Sequence, residues 1–479
     1  MPPIIQLSAS ELLQQIRIGA LSVTDVVEAH IAQIERVNPS LNAVVTPLFD
    51  QAHRAAHEAD AQREHLSELP PLFGLPVTIK DSLDVADAPA TCGMLARRDR
   101  IAPQDAAVVA ALRKAGAIVL GKTNAPEVCW SQETNNLLYG RTNNPWNLAH
   151  TVGGSTGGEA AIIAACGSAL GMGSDISGSI RMPAAFTGIV GLRPTSAALE
   201  ETGHYPLVSG RLADLEAVGP MARRVEDVAL AFAVLTGRPY TPPDPAVLRG
   251  QKVAYWFNGG LTFADPNIRR AVVGAVEALR GAGMTPTART IPPQVRFAQI
   301  GWLSYLDRDA RRAIDQAFMQ PGVFAEIRNH LRGKPTVAYG SLHFWQAAMM
   351  SIVSERVFNG VRWREAINRL VTAWIDEGGV IISPIFPTTA PKHQWQFFAP
   401  FTTIPYQQWV NLAGLPGLTV PTGVAPNGLP TAVQVIGAHG REDVILAAGM
   451  VIQQALTPIW NAPALVSGQA ASVAEKDRL

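Results

Sequence analysis

The most constraining stretch of the chain is a strand, a helix and a second strand in close succession. GLPVTIK (residues 74–80) alternates in a β-rich pattern and predicts a strand ending near Lys80. QDAAVVAALRKAGA (residues 104–117) predicts a helix capped near Asp105, and AIVLGK (residues 117–122) predicts a second strand. That succession is a βαβ unit, which joins parallel strands through a crossover helix and requires a sheet covered on both faces. Other segments extend the pattern. GGEAAIIAAC is helical, and IVGLRPT, GGVIISP and LPGLTVPTG read as buried strands. EDVILAAGMVIQQAL is a closing helix. Ahead of the sheet, Ser8 with Glu11 and Ser22 with Asp25 predict two capped N-terminal helices.

Composition agrees with a large buried core. Charged residues make up 16% of the 479, against about 25% in an ordinary soluble protein. Net charge is zero, which argues against a nucleic-acid partner held by phosphate neutralisation. Three cysteines, Cys92, Cys129 and Cys166, are too few and too far apart for a disulfide framework or a C-x-x-C metal site. Residues 393–440 carry no Asp, Glu, Lys or Arg, but six prolines interrupt them, so no membrane helix is expected there. MPPIIQLSAS lacks the basic and long apolar regions of a secretory signal. The expectation is a soluble, cytoplasmic enzyme with no membrane partner.

Three positions could carry nucleophilic chemistry. In TVGGSTGGEAA, Gly153, Ser155 and Gly157 match the G-x-S-x-G of a nucleophile elbow, though NNPWNLAHTV ahead of it is not the buried strand an elbow needs. Downstream, in GSDISGSIRMPAA, Ser179 opens a predicted short helix ending before Gly188. It is either a plain N-cap or a nucleophile beside free backbone N–H donors. Lys80 ends the apolar strand, where burial disfavours its charged form, and a neutral lysine is a base. Taken alone, a lysine at a strand end reads first as a solvated side chain. GAIVLGKT (residues 116–123) formally matches a phosphate-binding loop, but its middle residues are the strand itself. No H-E-x-x-H occurs and the histidines are scattered, so no metal and no cofactor is expected.

Taken together, GLPVTIKDSLDV, AGAIVLGKTNAPE, NNPWNLAHTVGGSTGGEAA, GSDISGSIRMPAAFTGIVGLRPT, VGPMARRVEDVALA and NLAGLPGLTVPTGVAPNGLPTAVQVIG resemble the amidase signature family. The resemblance implies an α/β fold, a single large domain with a mixed central β-sheet sandwiched by α-helices. It also implies a Ser–cis-Ser–Lys triad with Ser179 as nucleophile. Ser155 would be the bridge, following a cis peptide bond after Gly154, and Lys80 the base. The oxyanion hole would be formed by the backbone N–H groups of Ile176, Ser177, Gly178 and Ser179. Asp175 and Arg181 would form a structural pair shaping that loop. Two departures from the family pattern stand out: Ser177 replaces the first of two glycines before the nucleophile, and Thr156 replaces a second serine.

The activity implied is hydrolysis of an acyl C–N bond in a small amide, anilide or carbamate, with esters also in range. The alternatives are the glutamine-hydrolysing A subunit of a tRNA-dependent amidotransferase, and an esterase with Ser155 as nucleophile. One domain is expected over residues 1–465, with its motifs at about 70–235 and 376–460. A variable substrate-side region is expected at about 240–375, and a flexible tail at 466–479. Trp130, Trp302, Tyr305, Phe318, Trp345, Trp395, Phe397 and Phe398 would favour an apolar or aromatic substrate wherever they face the site. A homo-oligomer is compatible with the sequence.

Overall fold

The computed structural model describes residues 3–63, 65–318, 323–342, 357–395 and 400–466. Eleven strands form one sheet: β1 (Val44–Pro47), β2 (Pro76–Lys80), β3 (Ile118–Thr123), β4 (Leu170–Ser174), β5 (Val190–Arg193), β6 (Val218–Ala222), β7 (Lys252–Tyr255), β8 (Thr285–Ala288), β9 (Val380–Ser383), β10 (Gly417–Val424) and β11 (Pro430–Ile436). Their spatial order is β1-β3-β2-β4-β6-β5-β10-β11-β9-β7-β8. β2 runs parallel to both β3 and β4, β7 runs parallel to β8 and β9, and the other pairings are antiparallel, so the sheet is mixed.

The βαβ unit is present. The helix Ala107–Lys114 carries β2 to β3, and every residue of both strands is buried. Its start differs from expectation. Ala106 is the N-cap, while Asp105 accepts the Ala86 N–H at 2.8 Å and pairs with Arg113 at 3.5 Å. The caps at Ser8 and Ser22 form as the sequence requires, the first as a full capping box with Glu11. The phosphate-loop match is indeed a strand, and its Lys122 is buried against Asp81 at 2.7 Å.

The helix Gly157–Ala164 lies directly on β4. Gly173 permits that closeness, because a Cβ there would run into the Thr156 side chain. The ends of β2 and β4 therefore stand beside the turn that opens this helix. Register pairs Ile79 with Met172, which places Lys80 and Ser174 together at the same end of the sheet.

Within residues 240–375, β7, the helix Pro266–Gly281 and β8 extend the sheet at its edge. The helices Ala298–Tyr305, Arg308–Phe318 and Gly360–Ile375 lie over a second core. That core includes Trp130, Ile176, Leu212, Trp302 and Trp409. Among the described residues, no helix is long and apolar enough to cross a membrane. Trp345, Phe397, Phe398, the Phe318 side chain and all of the tail beyond Val466 lie outside the described residues.

Candidate active site

Lys80 is fully buried at the end of β2. Its Nζ is 2.7 Å from Ser155 Oγ. The peptide bond between Gly154 and Ser155 is cis. Gly154 packs against the 131–133 backbone, where a Cβ would sit 2.8 Å from the Ser131 carbonyl. Thr156, next in the chain, donates its Oγ1–H to the Ser174 carbonyl at 3.1 Å and its N–H to the Ser179 carbonyl at 3.2 Å. That last bond brings the Ser155 turn and the Ser179 loop side by side. Thr156 thus joins the Ser155 turn to both β4 and the Ser179 loop.

Ser179 is not a helix cap. The helix that follows begins at Arg181, its N-cap position is Ile180, and no side chain caps it. The Ser179 hydroxyl makes no hydrogen bond to any described residue, which leaves its lone pairs available for an incoming carbonyl carbon.

The loop before Ser179 is organised by Asp175. Its Oδ1 accepts from the Gly178 N–H at 2.6 Å, Asn411 Nδ2 at 2.8 Å and Arg181 Nη2 at 3.3 Å. Its Oδ2 accepts from Arg181 Nε at 3.0 Å, the Ile180 N–H at 3.2 Å and the Arg181 N–H at 3.4 Å. Burial opposes the charge on Asp175, but the Arg181 guanidinium outweighs it and holds the carboxyl well below the usual carboxylate range. Arg181 is equally enclosed, reaching Asn411 Oδ1 at 2.6 Å and Gln434 Oε1 at 2.9 Å. Asp175 and Arg181 therefore act on loop shape.

One expected oxyanion donor is corrected. The Gly178 N–H is spent on Asp175, so it cannot also point at a developing oxyanion. The N–H groups of Ile176, Ser177 and Ser179 donate to no described protein acceptor. The replacement at Ser177 costs no left-handed backbone strain, because Ser177 is absent from the positive-φ residues while Gly178 takes φ 101°. Among the described residues, the buried Ser177 hydroxyl has no hydrogen-bond partner.

The elbow alternative for Ser155 loses its structural basis. The segment before it forms a two-stranded hairpin, Asn143–Asn144 with Asn147–Thr151, apart from the central sheet. The hydroxyl meets lysine, not histidine.

Sequence reasoning missed several groups. Ser174 Oγ is 3.0 Å from Lys80 Nζ, and His204 stands behind it. Glu159 is buried, accepting from Thr123 Oγ1 at 2.8 Å and from Thr78 Oγ1; burial pushes its carboxyl up to about 8. Trp302 packs edge-on against Trp130 with centroids 6.1 Å apart, and its Nε1–H points at the Ile176 carbonyl at 3.4 Å. Tyr305 and Trp395 are used elsewhere: the Tyr305 hydroxyl bonds Asp214 at 2.5 Å, and Trp395 packs on Phe386. Among the described residues, no group of three or more His, Cys, Asp or Glu is placed to hold a metal ion.

Residues 25–446 match the family described as Amidase. The chain belongs to the amidase family. It is 31% identical to "Fatty-acid amide hydrolase 2-A" of Danio rerio, covering 96% of this chain and 90% of that one. It is 30% identical to the A subunit of the glutamyl-tRNA(Gln) amidotransferase of Cyanothece sp. (strain PCC 7425 / ATCC 29141), covering 95% and 98%. The solved structure of 6-aminohexanoate cyclic dimer hydrolase with its substrate superposes with a TM-score of 0.79 at 26% identity, covering 96% of this chain and 99% of that one. The amidase is accordingly a hydrolase of carbon–nitrogen bonds other than peptide bonds, built on one large α/β domain with a mixed central sheet.

Proposed function

We propose that this amidase cleaves a small-molecule amide through an acyl-enzyme on Ser179, with Ser155 as the proton bridge and Lys80 as the base. The buried contact of Lys80 Nζ with Ser155 Oγ at 2.7 Å carries this reading. The bond from the Thr156 N–H to the Ser179 carbonyl supports it by setting the bridge beside the nucleophile.

Serine attacks a carbonyl only as its proton leaves. Lys80 takes the Ser155 proton while Ser155 takes that of Ser179, and Ser179 Oγ bonds to the carbonyl carbon. The oxyanion is met by the N–H groups of Ile176, Ser177 and Ser179. The proton then returns from Lys80 through Ser155 to the leaving nitrogen, and water repeats the sequence on the ester. The substrate class we favour has an apolar or aromatic group beside the reacting carbonyl. Ile176, on the loop itself, is in the same apolar cluster as Trp130, Leu212 and Trp302. Glutamine hydrolysis within an amidotransferase is the second reading, favoured by the similarity to the cyanobacterial amidotransferase chain.

Ser179→Ala and Ser155→Ala, exposed separately to a fluorophosphonate, test the assignment. Label should vanish from Ser179→Ala. A label carried by Ser155 in that variant overturns the roles. Turnover of aryl anilides against glutamine separates the two substrate readings: glutaminase activity without anilide turnover defeats the apolar-substrate proposal.

A further inference from the structure

Lys80 meets two hydroxyls. Ser155 Oγ is at 2.7 Å and Ser174 Oγ at 3.0 Å. Ser174 Oγ lies 3.0 Å from His204 Nε2, and the other ring nitrogen, Nδ1, faces Glu216 Oε1 at 3.3 Å and the Pro206 carbonyl at 3.2 Å. Ser174, His204 and Glu216 are all buried. Building on the reading of Lys80 as the base, we propose that His204 is a positioning residue which, through Ser174, aims the Lys80 lone pair at Ser155.

Proton counting gives the reason. Nδ1 faces two acceptors, so it carries a proton. A serine hydroxyl has one proton to give, and a neutral amine has one lone pair and two N–H bonds. To take the Ser155 proton, Lys80 must turn its lone pair there and meet Ser174 with an N–H. Ser174 then gives its own proton to Nε2, which only a neutral ring can accept. If Nε2 is protonated it donates to Ser174, and the Ser174 proton turns toward Lys80. The lone pair needed by Ser155 is then drawn to the wrong hydroxyl. The charge state of His204 thus selects which of two directions the hydrogen-bond chain runs.

The groups bearing on the ring are Glu216, Cys129, Glu201 and, across Ser174, Lys80, and Glu201 also acts on Glu216. Burial disfavours both the imidazolium and the Glu216 carboxylate, but the attraction between the two, with Cys129, outweighs it for the ring and moves His204 above the usual histidine range. The productive direction of the chain is therefore gained as pH rises through the alkaline range.

The rate and pH profile of Ser179 labelling by a fluorophosphonate read this out without a known substrate. Ser174→Ala, which keeps the His204–Glu216 pair intact, and His204→Leu should lower the maximal labelling rate about 10–100-fold, with the probe's half-saturation unchanged. His204→Gln offers Ser174 an amide oxygen and does not titrate. It should keep the wild-type alkaline rate and hold it at lower pH, with one proton-dependent step missing. Wild-type labelling rates and profiles in Ser174→Ala and His204→Gln, alongside slow labelling of Lys80→Ala, overturn the role of His204 while leaving the base in place. Fast labelling of Lys80→Ala overturns the base, and the proposal with it.

Discussion

Asp175→Asn separates loop geometry from the proposed chemistry, because Asp175 touches neither the Ser179 hydroxyl nor Lys80. Each carboxylate oxygen is met only by donors. Oδ1 faces the Gly178 N–H, Asn411 Nδ2 and Arg181 Nη2, and Oδ2 faces Arg181 Nε and the Ile180 and Arg181 N–H groups. An asparagine must turn its NH₂ toward one set or the other, so donors oppose donors in either orientation. The substitution also strips the partner from Arg181, whose side chain is 0% exposed. Leaving one member of a buried ion pair alone costs about 3–5 kcal/mol. Unfolding entropy of about 2.1 cal/mol/K per residue, over 479 residues, amounts to about 1 kcal/mol/K. Tm should therefore fall by about 3–5 °C. The Gly178 N–H loses its anchor with one of the two asparagine orientations, and displacing the oxyanion loop by even an ångström should lower kcat about a hundredfold. Calorimetry and anilide turnover on the same preparation measure both. A Tm within about 1 °C of wild type would refute the buried-pair account. A kcat within about threefold would refute the claim that Asp175 sets the loop.

Three further outcomes follow from the same site. Ser177→Gly should keep kcat within about tenfold, since the serine is not in left-handed strain and the proposed oxyanion donors are backbone groups; a hundredfold loss with intact folding would make the hydroxyl itself catalytic. Burial raises the Glu159 carboxyl from 4.5 to about 8, so the folded chain binds the proton more tightly than the unfolded one. Stability from this group is present below about 4.5 and lost as pH rises to about 8. Glu159→Gln should flatten that decline in Tm, and an unchanged pH dependence would remove Glu159 as its source. Prolonged chelation should leave activity unaltered, because the proposed mechanism takes its base from lysine and its nucleophile from serine; recovery by added zinc after chelator loss would contradict this.

The elements read correctly from the sequence are those whose local pattern and burial agree. β2 and β3 are apolar runs buried along their whole length, so their period and their environment give the same answer. The edge strand β8 carries no such signal, because an edge needs no apolar run. Thr285–Ala288 is mostly exposed, so burial leaves no apolar signature there. The cap near Asp105 failed for a tertiary reason: its carboxylate is drawn away to Ala86 and Arg113, and nothing local signals either partner.

The same division runs through the site. Lys80, Ser155 and Ser179 sit in segments whose residues mark them out, and these fold as a strand end, a tight turn and a loop. Whether a given N–H in the loop is available depends instead on a competing acceptor. Nothing in the sequence sets the Gly178 N–H apart from those of its neighbours, yet it donates to Asp175, three residues earlier. Ser174 and His204 are less legible still. Ser174 reaches Lys80 only because β4 lies parallel to β2 in a register pairing Ile79 with Met172. His204 enters from a loop that pairs with neither strand, held by a backbone bridge between Leu83 and His204 itself. The strand that ends at the proposed base is legible in the sequence. The groups proposed to orient that base are placed by strand register and loop docking, and a linear pattern carries neither.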